Sequence, residues 1–127
     1  MKGIKVAAAA LLLLALCACG KSVDNYRVYD DLLVSFTSAL GDRTLKEEQL
    51  TKSEDGRQII SASYTYKSKQ AEEDRENYLY YLFNHSDAAF IAEDKVALNS
   101  RDKDYTIIVQ TTSEGDSFTI NIYREEL

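Results

Sequence analysis

The sequence predicts one small α+β domain, with two helices packed on one face of a four- to five-stranded, mainly antiparallel sheet. Three observations lead there. Two segments carry apolar residues at helical spacing, several others alternate with a period of two, and short turns join neighbouring strands, which pairs them antiparallel. At 127 residues the chain has room for one ordinary core and not two.

The expected order is α-β-β-α-β-β-β. Residues 26–40 place Tyr29, Leu32, Leu33, Phe36, Ala39 and Leu40 on one helical face, with Asp24 as N-cap and Gly41 as the stop. Residues 44–53 and 57–67 follow as two strands joined through Glu54-Asp55-Gly56. The first is poor in apolar residues; the second alternates clearly. Residues 68–84 form the second helix, turning Ala71, Arg75, Tyr78, Leu79, Leu82 and Phe83 to the core. Its start, Glu72, Glu73, Asp74 and Glu76, reads as a solvated acidic face that complements the helix dipole. Residues 88–91 and 95–99 are candidate short strands that together add at most one strand to the expected order. A hairpin of 105–111 with 117–124 closes the chain, turning at Ser113-Glu114-Gly115-Asp116.

Residues 1–18 read as a secretory signal peptide. Lys2 and Lys5 precede a run of thirteen apolar residues, 6–18, which is short of the ~20 that a membrane-spanning helix needs. The run ends in Leu16-Cys17-Ala18-Cys19-Gly20, which resembles the lipobox of bacterial lipoproteins. The resemblance implies cleavage between Ala18 and Cys19 and a diacylglyceryl group on the Cys19 thiol, with palmitate among the acyl chains. Cys17 departs from the usual Ala, Ser or Thr at its position. The other register, with lipid on Cys17, puts bulky Leu16 at the cleavage position. Residues 19–25 then form the lipidated cysteine and a short tether, and 26–127 the domain. Two acyl chains anchor stably where one binds only marginally. The expected location is the extracytoplasmic face of the cell membrane; Gly20 resembles the outer-membrane sorting pattern if the envelope is diderm.

The chain carries a formal charge of −6; once Lys2 and Lys5 leave with the signal, 13 basic against 21 acidic residues make it −8. Such a surface repels phosphate backbones and anionic headgroups, which argues against nucleic acid as a partner. The expected partners are the membrane, through the anchor, and an envelope protein or cell-wall component. Cys17 and Cys19 are the only cysteines, so the mature domain has no internal disulfide.

Catalytic chemistry is hard to assemble. His85 stands alone past the second helix, and no Ser-His-Asp or metal-ligand spacing forms around it. Asp102-Lys103-Asp104 opens like a calcium loop, but Ile107 and Ser113 occupy the positions where that loop needs Gly and Glu. The acidic run at 72–76 is local, whereas glycosidase carboxylates face each other across a cleft. No catalytic residue, metal site or cofactor is assigned.

Aromatic and hydroxyl residues are more suggestive. Tyr80 falls among Glu73, Glu76 and Asn77 on the helical wheel and should be exposed. If Ile60, Ala62, Tyr64, Ile107, Val109, Phe118, Ile120 and Ile122 face the helices, period two turns Ser61, Ser63, Thr65, Thr106, Ile108, Gln110, Thr119, Asn121 and Tyr123 outward. That face carries no charge. The sequence therefore favours a noncatalytic binding module contacting its partner through Tyr80, Thr106, Ile108, Thr119 and Tyr123. The alternatives are a small envelope hydrolase or transferase using carboxylates, and a purely structural lipoprotein.

Overall fold

The computed structural model describes residues 23–127 and the backbone of 12–16. Its main sheet is antiparallel throughout. Strands β4 (Thr44–Lys52), β5 (Ile59–Lys67), β9 (Ser117–Glu126), β8 (Tyr105–Glu114), β7 (Lys95–Asn99) and β6 (Ala88–Ile91) lie side by side in that order. This is six strands where four or five were expected, because 44–52, 88–91 and 95–99 all pair. A seventh, β1 (Leu12–Leu16), runs antiparallel along the outer edge of β4.

β1 falls within the segment read as a signal peptide. Without it β4 is the sheet edge, and the features that made β4 look weak are those that protect an edge. Lys46, Glu47 and Glu48 put charge there, and register shifts at Leu45/Glu47 and Thr51/Lys52 interrupt the ladder.

The expected helix over 26–40 is a correction. Its first part is a separate two-stranded hairpin, β2 (Asn25–Val28) with β3 (Asp31–Val34), and only α1 (Phe36–Leu40) is helical, capped by the Ser35 hydroxyl accepting from the Ser38 N–H. Tyr26 and Val28 are both fully buried. Residues two apart cannot share a helical face, but they do share a strand face. The turn between the strands is made by Tyr29 and Asp30, with Tyr29 at φ +53°. It lacks the Gly or Asn that would have announced it.

The hairpin, α1 and α2 (Ala71–His85) cover one face of the main sheet. Tyr64, Tyr66, Ile107, Val109, Phe118, Ile120 and Ile122 meet Tyr26, Phe36, Tyr78, Leu79 and Leu82 there. The centre is aromatic: Tyr26 stacks on Tyr64 with centroids 4.2 Å apart, and Phe36 lies 4.9 Å from Phe118. The hydroxyls of Tyr26, Tyr66 and Tyr78 are satisfied. Tyr26 and Tyr66 share a 2.6 Å hydrogen bond, Tyr26 Oη also accepts from the Phe36 N–H, and Tyr78 donates to the Val34 carbonyl. Burial pushes the Tyr26 and Tyr78 phenols well above their ordinary range and Tyr66 up to about 12.

Two further expectations change. Ile59, not Ile60, packs on the core, because Ile60 is the extra residue of the register shift opposite Thr51/Lys52. In α2, Phe83 is on the rim, while Asp74 is buried rather than part of a solvated acidic face. Asp74 accepts a bidentate pair from Arg43 (2.8 and 3.1 Å) and further bonds from Ser68 Oγ and Gln70 Nε2, fixing the first turn of α2. The last hairpin is longer than expected. β8 and β9 stay paired to Glu114 and Ser117, and Gly115 takes φ +56° in a two-residue turn.

Candidate functional site

Among the described residues, the opposite face of the sheet has no helix or hairpin over it. Strand pairing sorts its side chains into rows that cross the strands. One row runs Phe90, Ala97, Ile108, Tyr123, Ser61, Thr51. The next runs Lys95, Gln110, Asn121, Ser63, Gln49, and a third Thr112, Thr119, Thr65, Glu47. Charge sits at the margins, on Glu47, Lys67, Lys95, Glu114 and Glu125. The centre, on β5, β8 and β9, is neutral.

The face therefore holds Ile108, Thr119 and Tyr123 together, with Thr106 one row away. Thr119 and Thr65 join hydroxyls at 2.9 Å, and Thr106 lies against the Glu125 carbonyl at 3.5 Å. The first row is more apolar than the sequence reading implied. Ile108 and Ala97 are 3% and 1% exposed yet lie outside the main core, flanked by Phe90, which is 47% exposed. Phe90 and Ala97 were missed. The alternation of Val96 and Leu98 marks Ala97 as outward, but the irregular step between Ala88 and Phe90 hides the register of β6. A shallow depression of about 260 Å³ lies on this face over Gln49, Ser61, Ser63, Asn121 and Tyr123.

Tyr80 is exposed as expected, but on α2 beside Ile91 and Glu93, in the layer on the other side of the sheet. The structure does not bring it together with Thr106, Ile108, Thr119 and Tyr123. Ala18 and Cys19 lie outside the described residues.

A second concave region surrounds the tip of the β2–β3 hairpin. Two adjoining clefts of about 510 and 400 Å³ share Asp30, Asp31, Leu32 and Arg101. The larger reaches the end of α2, where His85 stacks on Tyr81 at 4.2 Å and its Nδ1 lies 3.0 Å from the Tyr81 carbonyl. A carbonyl only accepts, so Nδ1 carries the proton. The carboxylates of this cleft are tied into loops: Asp31 accepts from Ser100 Oγ (2.6 Å) and the Arg101 N–H (2.8 Å), and Asp87 from Asn99 (3.0 Å). Among the described residues no group of three or more His, Cys, Asp or Glu is placed to hold a metal ion, and no helix is long and apolar enough to cross a membrane. Comparisons with protein-family models, curated proteins and solved structures found no match.

Proposed function

We propose that the protein is a lipid-anchored module on the extracytoplasmic side of the cell membrane, which binds an envelope protein or cell-wall component without catalysis. The observation that carries the binding reading is the uncovered sheet face. Its exposed apolar area comes from Phe90, Tyr123 adds a phenol, and the adjoining rows offer hydroxyl and amide groups, while Ala97 and Ile108 lie buried between them. Such groups cost far less to desolvate than Lys or Glu. A chain rich in surface charge that keeps charge off one broad face is suited to cover that face with a partner.

Support for anchoring comes from Leu16-Cys17-Ala18-Cys19 and from the start of the domain. The Val23 carbonyl accepts from Thr37, and the Asp24 carbonyl from the Ser35 N–H and Ser38 Oγ, so hydrogen bonds tie the chain into the domain from Val23 onward. Four residues from Cys19 reach about 14 Å at most. The domain would sit against its membrane, in the outer membrane if the envelope is diderm.

Hydrolysis or transfer by paired carboxylates has less support, since Asp31 and Asp87 hold loop and strand ends rather than facing one another as free groups. The test has two parts. Cys19→Ser should move the protein from the membrane to the soluble fraction or leave it as precursor. Thr112→Lys with Thr119→Lys should abolish partner recovery after cross-linking in native membranes while moving the thermal midpoint by less than about 3 °C. Membrane fractionation of Cys19→Ser at mature mass would refute the anchor, and unchanged recovery would refute the face.

A further inference from the structure

At the tip of the β2–β3 hairpin the guanidinium of Arg124 lies between two tyrosine rings, 3.6 Å from the Tyr29 centroid and 3.7 Å from that of Tyr105. Among the described residues it has no hydrogen-bond or ion-pair partner. Arg27 and Arg101 line the same 400 Å³ cleft, and among the described residues neither has a side-chain hydrogen bond or an acidic partner within 4.0 Å. In a chain where Asp and Glu outnumber Lys and Arg by 21 to 15, three arginines around one cleft without a carboxylate partner call for an explanation.

We propose that this cleft is a binding site for a carboxylate, carried by a small solute or a peptide C-terminus, with Arg124 as the principal contact and Arg27 and Arg101 as supporting cations. The site is separate from the open sheet face and stands without it. Rings this close to Arg124 leave its in-plane N–H edge as the approach for an acceptor. That edge matches a carboxylate with two parallel hydrogen bonds. The cation is held in place before any ligand arrives, which lowers the entropic cost of binding.

The backbone is arranged to the same end. Tyr29, whose ring covers Arg124, is the one non-glycine residue at positive φ among those described, and its N–H is fastened to the Ile59 carbonyl at 2.8 Å. A left-handed tyrosine is unfavourable in itself, and such conformations concentrate where a side chain must be aimed. The acidic residues of the cleft select among anions. Asp31 and Asp102 are committed to loop N–H and hydroxyl donors, and with Asp30 they place three carboxyl groups on the cleft wall. They oppose a dianion more than a monoanion, which favours a carboxylate over phosphate.

The experiment titrates the full chain, solubilised in detergent, with N-acetylalanine, its amide and inorganic phosphate, following arginine Nε–Hε resonances. The expected result is a saturable shift of Arg124 with N-acetylalanine, none with the amide, and a shift with phosphate only at tenfold or higher concentration. Arg124→Lys, which keeps the charge and loses the fork, should weaken binding at least tenfold. Arg27→Ala with Arg101→Ala, on the exposed rim, should weaken it severalfold without moving the thermal midpoint. Equal shifts with the amide, or no saturable shift at all, would overturn the site; tighter binding of phosphate would overturn its assignment to carboxylates.

Discussion

Replacing Asp74 by Ala removes the acceptor on which Arg43, Ser68 and Gln70 converge at the start of α2. The Asp74 side chain is 3% exposed and that of Arg43 24%. Losing one partner of a buried ion pair costs about 3–5 kcal/mol. Arg43 keeps access to water and recovers part of its solvation, so the expected loss is smaller, about 2–3 kcal/mol. For a domain of this size that lowers the melting temperature by roughly 10 °C. Circular dichroism on wild type, Asp74→Ala, Arg43→Ala and the double variant measures the effect and, through the cycle, the coupling of the pair.

The pH dependence supplies a second reading of the same contact. Burial raises the Asp74 pKa, but the bonds from Arg43, Ser68 and Gln70 outweigh it and hold the carboxyl below its usual range. A depressed carboxylate stabilises the fold fully above the unfolded value, near ~3.9, and loses that contribution as the pH falls through the folded value. The gap between wild type and Asp74→Ala should therefore be constant from pH 7 to 5 and close progressively below about pH 4. A melting shift under 3 °C at pH 7, or a gap that widens in acid, would refute the reasoning.

Two further outcomes follow from the core. Thr111 Oγ1 is buried without a hydrogen-bond partner, so Thr111→Val should stabilise the domain by about 1 kcal/mol in urea unfolding; a fall in stability would contradict that. Burial raises the phenols of Tyr26, Tyr66 and Tyr78, Tyr66 to about 12. Groups raised in this way stabilise the fold fully below pH ~10 and lose that contribution as the pH climbs through the folded values. Unfolding midpoints should be flat from pH 8 to 9.5 and drop steeply between 10 and 12, and the tyrosinate absorbance of the buried rings should appear only with unfolding.

Most of the sheet was legible because its strands alternate. β8 and β9, and β5 from Ser61 onward, each carry a clean inner and outer set, and Gly115 marks the turn of the last hairpin. Residues 26–40 were not, since Tyr29, Leu32, Leu33 and Phe36 also satisfy a helical period and the turn at Tyr29-Asp30 uses a residue that ordinarily avoids positive φ. Asp74 looked solvated because its partner, Arg43, is 31 residues away, and no local pattern reports it. The outer face was readable as a set of residues, though not in its rows, which depend on register. The arginine cleft was not readable at all. Arg27 and Tyr29, Arg101 and Tyr105, and Arg124 come from three separate segments, and only the packing of the hairpin tip over the sheet end joins them.

The central claim, that the uncovered sheet face is the contact surface, is tested most directly by site-specific photo-crosslinking in cells that make the full chain. A photoreactive residue at Gln110 or Thr112 samples the face, and one at Tyr80 samples the layer behind the sheet. A discrete, higher-mass adduct is expected from positions 110 and 112 and none from position 80. Adducts from position 80 alone, or none from the face, would contradict it.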